Sequence, residues 1–432
     1  MSSLREAPPA TAASGMRERR GREEHTFRGN LKSTRHGWLR LTPAYSVRLV
    51  ASLLEGGPSG PVLDPFCGTG TTLLSCTEHG LDGDSVDINP FLVWLARAKV
   101  AAYSAPQLEE ARQGLARMRR AVRAKPAREG WVPPLHQIEK WWSPATLAAL
   151  SRAHGALERF ASSSSRAASD LLRIAFCQVL IARSRAHFGH QSMSFKPAPE
   201  GGPGAHAGER DAGESAEKTA IERGLEEAFE RVAGAAALGL PRTRRRVVHG
   251  DARRLHEVLP AGHFARVITS PPYANRMSYI RELRPYMYWL RYLEEKGAAG
   301  VLDWKAIGGT WGSATSNLGS WRPEASERPL PSRLEPLLAA IAETSPLLST
   351  YVRKYFHDMA LHFASLAQVM RPGGRAHYVV GNSKFYEVVV PVEQLLAEQF
   401  EASGFRHISI ETLRKRSSKK ELFEYLISAD RA

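Results

Sequence analysis

Seven short runs of β-branched and apolar residues punctuate the chain, at about 61–65, 83–88, 246–250, 265–269, 375–381, 406–412 and 421–428. Short apolar runs bounded by glycine, proline or charge predict buried strands. Segments with helical periodicity lie between most of them, for example 71–78 and 90–101. Strands alternating with helices predict an α/β fold: a doubly wound, mostly parallel seven-stranded sheet covered on both faces. Only the short basic stretch 414–420 separates the last two runs. That spacing predicts a hairpin, and with it a terminal antiparallel strand.

Two stretches break this rhythm. Residues 105–245 read as a helical insertion, with apolar positions at helical spacing in 145–157 and 168–182. Within it, 197–216 is rich in Gly, Pro, Ala and Glu and has no large apolar side chain, which predicts a flexible loop. Residues 274–350 form a second insertion, aromatic and basic at first, then rich in Gly, Ser and Trp. Residues 1–30 are charged, lack apolar periodicity and read as a disordered basic tail. The segments 31–104 and 246–432 are left as one α/β domain.

Lys and Arg number 59 against 44 Asp and Glu, a formal charge of +15. Such an excess favours polyanions, of which nucleic acid is the commonest. The three cysteines, Cys67, Cys76 and Cys177, lack metal-ligand spacing and are too few for a disulfide framework. The first 25 residues have no apolar core of a signal peptide, and no run approaches the ~20 residues of a membrane helix. The expectation is a soluble cytoplasmic protein with no membrane partner. The scattered histidines suggest no metal site.

Two strings carry the chemistry. Asp64-Pro-Phe-Cys-Gly-Thr-Gly70 follows the first predicted strand, and Thr269-Ser-Pro-Pro-Tyr273 follows the fourth. Both therefore sit at strand carboxyl ends, where open α/β sheets bind ligands. Glycines at 68 and 70 let the backbone turn sharply and approach a ligand, and a helix opens directly after them. Asp87 ends the second strand, where a carboxylate can accept from a ribose diol. Asp251 ends the third, where it can accept from an adenine amine or cap the following helix.

The first string resembles the cofactor motif of S-adenosylmethionine-dependent amino-methyltransferases acting on nucleic acid. Ser270-Pro-Pro-Tyr273 resembles their catalytic motif in the form typical of DNA cytosine-N4 methyltransferases. The likeness extends to the segment 36–46, to Val86-Asp-Ile-Asn-Pro90, to His249-Gly-Asp251 and to 414–426. It implies that 31–104 and 246–432 form a catalytic domain holding S-adenosylmethionine through Thr42, Asp64, Pro65, Phe66, Gly68, Gly70, Asp87, Ile88 and Asp251. The family's order places target recognition between the two halves, so 105–245 is one candidate for it and the second insertion another. The second insertion departs from the family pattern.

An exocyclic amine is a poor nucleophile because its lone pair is conjugated with the ring. The Ser270 hydroxyl and the Pro271 carbonyl are candidate acceptors for its two N–H bonds, which would turn the lone pair toward the methyl group. Pro271 and Pro272 remove backbone donors and stiffen the turn. Tyr273 would stack on a base flipped out of double-stranded DNA. Candidate DNA contacts are Arg276 and Tyr279, with Arg244, Arg245, Arg414, Arg416 and Lys419 from two basic clusters. A helix packing through Tyr279, Leu283 and Tyr286 is the bland alternative for the first pair. The expected activity is N4-cytosine methylation at a specific DNA sequence, in a nucleoid-associated enzyme. Restriction–modification is the expected setting, with a separately encoded endonuclease as partner, and a solitary modification enzyme is equally compatible with the sequence. Adenine-N6 methylation, RNA methylation and a non-catalytic cofactor sensor are the rivals.

Overall fold

Seven strands build the central sheet: β1 (Val62–Asp64), β2 (Gly83–Asp87), β3 (Arg245–His249), β4 (Phe264–Thr269), β5 (Met370–Gly381), β6 (Phe405–Lys415) and β7 (Phe423–Arg431). The computed structural model describes residues 34–39, 45–124, 130–187, 194–195, 207–274, 278–309, 313–323, 330–416 and 421–432. The spatial order is β6-β7-β5-β4-β1-β2-β3. Strands β3, β2, β1, β4 and β5 pair in parallel, and β7 pairs antiparallel with both β5 and β6. The terminal strand is thus the antiparallel one. It lies one place in from the margin, so β6 runs with the parallel set.

The central strands are short and wholly buried because helices cover both faces. Alternation divides their side chains. Val62 and Ile268 pack with Val50 and Leu54 of α1 (Val47–Leu54) and with Cys76 of α2 (Thr71–Glu78). Leu63 and Val267 face the opposite layer. Between β2 and β3 come α3 (Pro90–Val100), α4 (Ala105–Arg123), α5 (Pro144–Ala161), α6 (Arg166–Ala182) and α7 (Ala207–Ala237). They share one aromatic-rich core that includes Trp94, Trp142 and Phe176. Arg35 braces this layer, donating to the carbonyls of Lys99 and Ala101 after α3 and of Ala235, Ala236 and Leu238 at the end of α7. One guanidinium thereby satisfies the orphan carbonyls of two helix ends.

The expected loop at 197–216 needs correction. Residues 207–216 are the first turns of α7, and 196–206 lie outside the described residues. Ala, Glu and Arg are strong helix formers, and the packed half of a 31-residue helix carries its glycine-containing start.

From β4 to β5 the chain forms α8 (Tyr279–Trp289), α9 (Ala298–Lys305), α10 (Ser313–Ser320), α11 (Leu334–Thr344) and α12 (Pro346–Val369). The last is the crossover that covers the Leu63 and Val267 face, together with α13 (Val392–Ala402). The order reverses at β1 and β4. The crevice at their carboxyl ends is where a sheet of this kind accepts a ligand.

Candidate active site

The turn after β1 is shaped by two left-handed glycines, Gly68 at φ +51° and Gly70 at φ +78°. A Cβ on Gly70 would lie 3.0 Å from that of Ala96, so α3 fixes glycine there. A Cβ on Gly68 would meet only the Phe66 carbonyl, at 3.8 Å, so this glycine borders open space. The Cys67 N–H donates to Val86 O at 2.9 Å, tying the turn to β2.

Two acids grip the same turn. Asp87 Oδ2 accepts from the Gly68 N–H at 2.8 Å, and Oδ1 accepts from the Asn89 N–H at 2.9 Å. Asp64 Oδ1 accepts from the Phe66 N–H at 3.1 Å and from Thr269 Oγ1 at 2.6 Å. Asp64 Oδ2 is buried with no hydrogen-bond partner among the described residues. Burial pushes the Asp64 carboxyl up to about 6 and that of Asp87 up to about 7, against the opposing pull of these hydrogen bonds.

Asp251 does cap the next helical turn, accepting from the Arg253 N–H at 2.9 Å. The Arg253 guanidinium also grips both its oxygens, at 2.7–3.1 Å. Burial alone would raise this carboxyl, but Arg253 outweighs burial and holds it below its usual range. Arg253 extends to Asp358 at 2.9 Å and to the Lys305 carbonyl at 2.8 Å. Asp251 and Ile88 line a cavity of about 750 Å³, walled on its far side by Tyr292, Leu293, Val301 and Leu302. The second insertion thus adds a wall to an open pocket begun by the ends of β2 and β3.

Ser270-Pro-Pro-Tyr273 leaves β4 at the carboxyl end of the sheet, and several of its groups are held. Ser270 Oγ donates to the Val379 carbonyl on β5 at 3.0 Å, so any further hydrogen bond at this oxygen is one that it accepts. The Tyr355 hydroxyl donates to Pro272 O at 3.0 Å. Among the described residues, none donates to the Pro271 carbonyl. The Tyr273 N–H donates to the Tyr279 hydroxyl at 3.2 Å, while Leu283 and Tyr286 are buried in the core beneath α8. Burial pushes the Tyr279 phenol up to about 12. The Tyr273 ring rests on Gly381, where a Cβ would lie 3.0 Å from a ring carbon. The Arg416 guanidinium stands 5.7 Å from the ring centroid.

The two basic clusters part company. Arg244 and Arg245 sit at the start of β3, at the amino end of the sheet, and β3 carries them about 13 Å from the carboxyl ends. Arg244 is moreover paired with Asp84 at 3.0 Å. Arg414 lies near the end of β6 and Arg416 just after it, and the end of this strand lies beside Gly381 at the carboxyl end of β5. Arg414 is forked onto Glu424 at 2.6 and 2.7 Å. Thr42, Arg276 and Lys419 lie outside the described residues. Among the described residues, no group of His, Cys, Asp and Glu is placed to hold a metal ion, and no helix is long and apolar enough to cross a membrane.

Arg253, Tyr355 and the Val379 carbonyl join the site without having been singled out in the sequence, and Thr269, quoted there only as the start of the second string, gains a role through Asp64. Thr269 had a signal, since its hydroxyl comes just before Ser270-Pro-Pro-Tyr273 and ends a strand adjacent to that of Asp64.

No protein-family model matches the chain. It is similar to Type II methyltransferase M.AvaI of Nostoc sp., 32% identical over 68 residues, 15% of this chain and 14% of that protein. Type II methyltransferase M.MjaII of Methanocaldococcus jannaschii is 39% identical over 49 residues, 11% of this chain and 9% of its own length. Type II methyltransferase M.BsoBI of Geobacillus stearothermophilus is 30% identical over 91 residues, 20% of this chain and 18% of that protein. The chain therefore spans less than a fifth of the length of each of these relatives.

Proposed function

We propose that the protein transfers a methyl group from S-adenosylmethionine to the exocyclic N4 amine of a cytosine flipped out of DNA, at a specific sequence, in a restriction–modification setting. The observation that carries this reading is the bond from Thr269 Oγ1 to Asp64 Oδ1 at 2.6 Å. It locks the strand that presents Ser270-Pro-Pro-Tyr273 against the acid that opens the glycine turn.

The residues present suit the cofactor. Asp64 keeps an unpartnered buried oxygen for a cationic group, and Gly68 leaves room where a side chain would intrude. Asp87 would hold the ribose diol, while Ile88 and Asp251 border a cavity of about 750 Å³, ample for an adenine. When bound, S-adenosylmethionine supplies an electrophilic methyl group on a sulfonium.

The chain supplies positioning. Ser270, with its proton committed to Val379 O, offers oxygen lone pairs to one N–H of the target amine. The Pro271 carbonyl would accept from the other. Tyr273 offers the stacking surface, its rotation limited by Gly381 beneath. No strong base is needed, because the sulfide leaves neutral and the amine proton can depart after transfer. Alignment of the reacting atoms carries the rate.

Labelled methyl transfer to unmodified plasmid DNA tests the reading. With a net charge of +15, DNA affinity should fall more than about tenfold from about 50 to 200 mM salt as counterion release weakens. A flat response would show that the basic surface is not an interface. Label entering RNA but never DNA would overturn the substrate class.

A further inference from the structure

Beyond β5 the chain makes a tight hairpin, Ser383–Phe385 paired antiparallel with Val388–Val390. Phe385 opposes Val388, so Tyr386 and Glu387 alone form the turn. Tyr386 is left-handed, at φ +53°, and Glu387 is not. That sign pattern belongs to the hairpin turn whose first central position favours glycine. A bulky residue there is strained. Its ring gains little burial in return, since Tyr386 is 53% exposed. Strain of this kind persists where neighbours hold it, and it gathers at functional sites.

The neighbours do hold it. Phe385 is buried and meets Tyr351 edge-on at 6.0 Å, on the same helix that grips Pro272 through Tyr355. Lys384 pairs with Glu421 at 2.9 Å and with Glu387 at 3.0 Å. Asn382 donates to the Glu421 carbonyl at 2.9 Å and accepts from the Phe423 N–H at 2.8 Å. Its backbone carbonyl accepts from Arg416 at 3.3 Å. The aromatic turn is thereby tied to Arg416, Glu421 and Phe423, next to the ends of β6 and β7, beside Tyr273. Gly381, against the Tyr273 ring, is five residues from Tyr386, at most about 17 Å of extended chain.

A fixed, exposed aromatic ring beside a basic segment suits a base by stacking. The adjacent Glu387, 94% exposed, disfavours a phosphate contact at the same tip. We infer that Tyr386 enters the duplex beside the target and stacks in the space that the extruded base leaves. This rests on the proposed methylation of DNA. Extrusion costs stacking and pairing, and a ring in the gap offsets part of that cost.

Tyr386→Ala, Tyr386→Gly and Tyr386→Phe in the full chain test the inference, with labelled transfer to unmodified plasmid duplex as the main readout. The Ala and Gly variants should lose about ten- to a hundredfold and the Phe variant about twofold or less, since the ring is what stacks. Cofactor affinity by calorimetry should be unchanged in all three. Tyr386→Gly removes the strain and should melt no lower than the parent. Parental rates in the Ala and Gly variants overturn the inference and leave the methylation reading standing. So does a loss in the Phe variant as large as in Ala, or a loss in Gly accompanied by a lower melting temperature. A parent chain that methylates no DNA overturns both.

Discussion

Ser270→Ala is expected to lower kcat by about a hundred- to a thousandfold, the size seen when one pre-placed polar group is removed from a reacting centre. Affinity for S-adenosylmethionine should stay within about twofold, since Ser270 follows β4 whereas the acids proposed to hold the cofactor end β1 and β2 and follow β3. The hydroxyl already gives its proton to Val379 O, so it faces the target as an acceptor and needs no reorientation. Alanine deletes that acceptor and leaves the Val379 carbonyl without its donor. Single-turnover transfer with calorimetry in parallel separates the two effects. Equal losses in turnover and in cofactor affinity would mean that Ser270 supports the pocket and does not act on the amine.

Asp87→Ala should weaken S-adenosylmethionine binding by about ten- to a hundredfold, because a hydrogen bond to a charged group is worth about 1.5–3 kcal/mol. The structure adds a second reason. Asp87 also holds the Gly68 N–H, so its loss loosens the turn proposed to admit the cofactor. Burial pushes this carboxyl up to about 7, and the ionised form is the better acceptor for a diol. Affinity should therefore rise as pH goes from about 6 to 8, and Asp87→Asn should flatten that rise. Stability of the free protein runs the other way. Asp87 at about 7 and Asp64 at about 6 hold protons that the unfolded chain releases near its ordinary value of 3.8. Their contribution is full below that value and is lost as pH climbs through 6 and 7. Unchanged affinity in a folded Asp87→Ala variant would remove Asp87 from the site.

The strands were legible because burial on both faces of a parallel sheet demands unbroken apolar runs. Val62-Leu63 and Arg266-Val-Ile268 announce themselves in this way, and Asp64 and Ser270 then fall at carboxyl ends by position alone. Asp251 was ambiguous for a physical reason, since one carboxylate can cap a helix and still present a lone pair. The chain uses it as a cap under the grip of Arg253. The placement of the basic clusters was not legible, because charge density does not reveal which end of a strand it occupies. Arg244 and Arg245 begin β3 far from Ser270, whereas Arg416 reaches the Tyr273 ring. The partner that orients Ser270 is a backbone carbonyl at position 379. No residue type encodes such an atom, and only the pairing of β5 with β4 brings it there.

Mass spectrometry of nucleosides from unmodified DNA treated with the protein and S-adenosylmethionine tests the central claim most directly. A hydroxyl acceptor at Ser270 and a Tyr273 stacking surface predict N4-methylcytosine in the digest, absent when Ser270→Ala replaces the parent. N6-methyladenine as the sole methylated base, or DNA left unmodified while RNA is methylated, would contradict it.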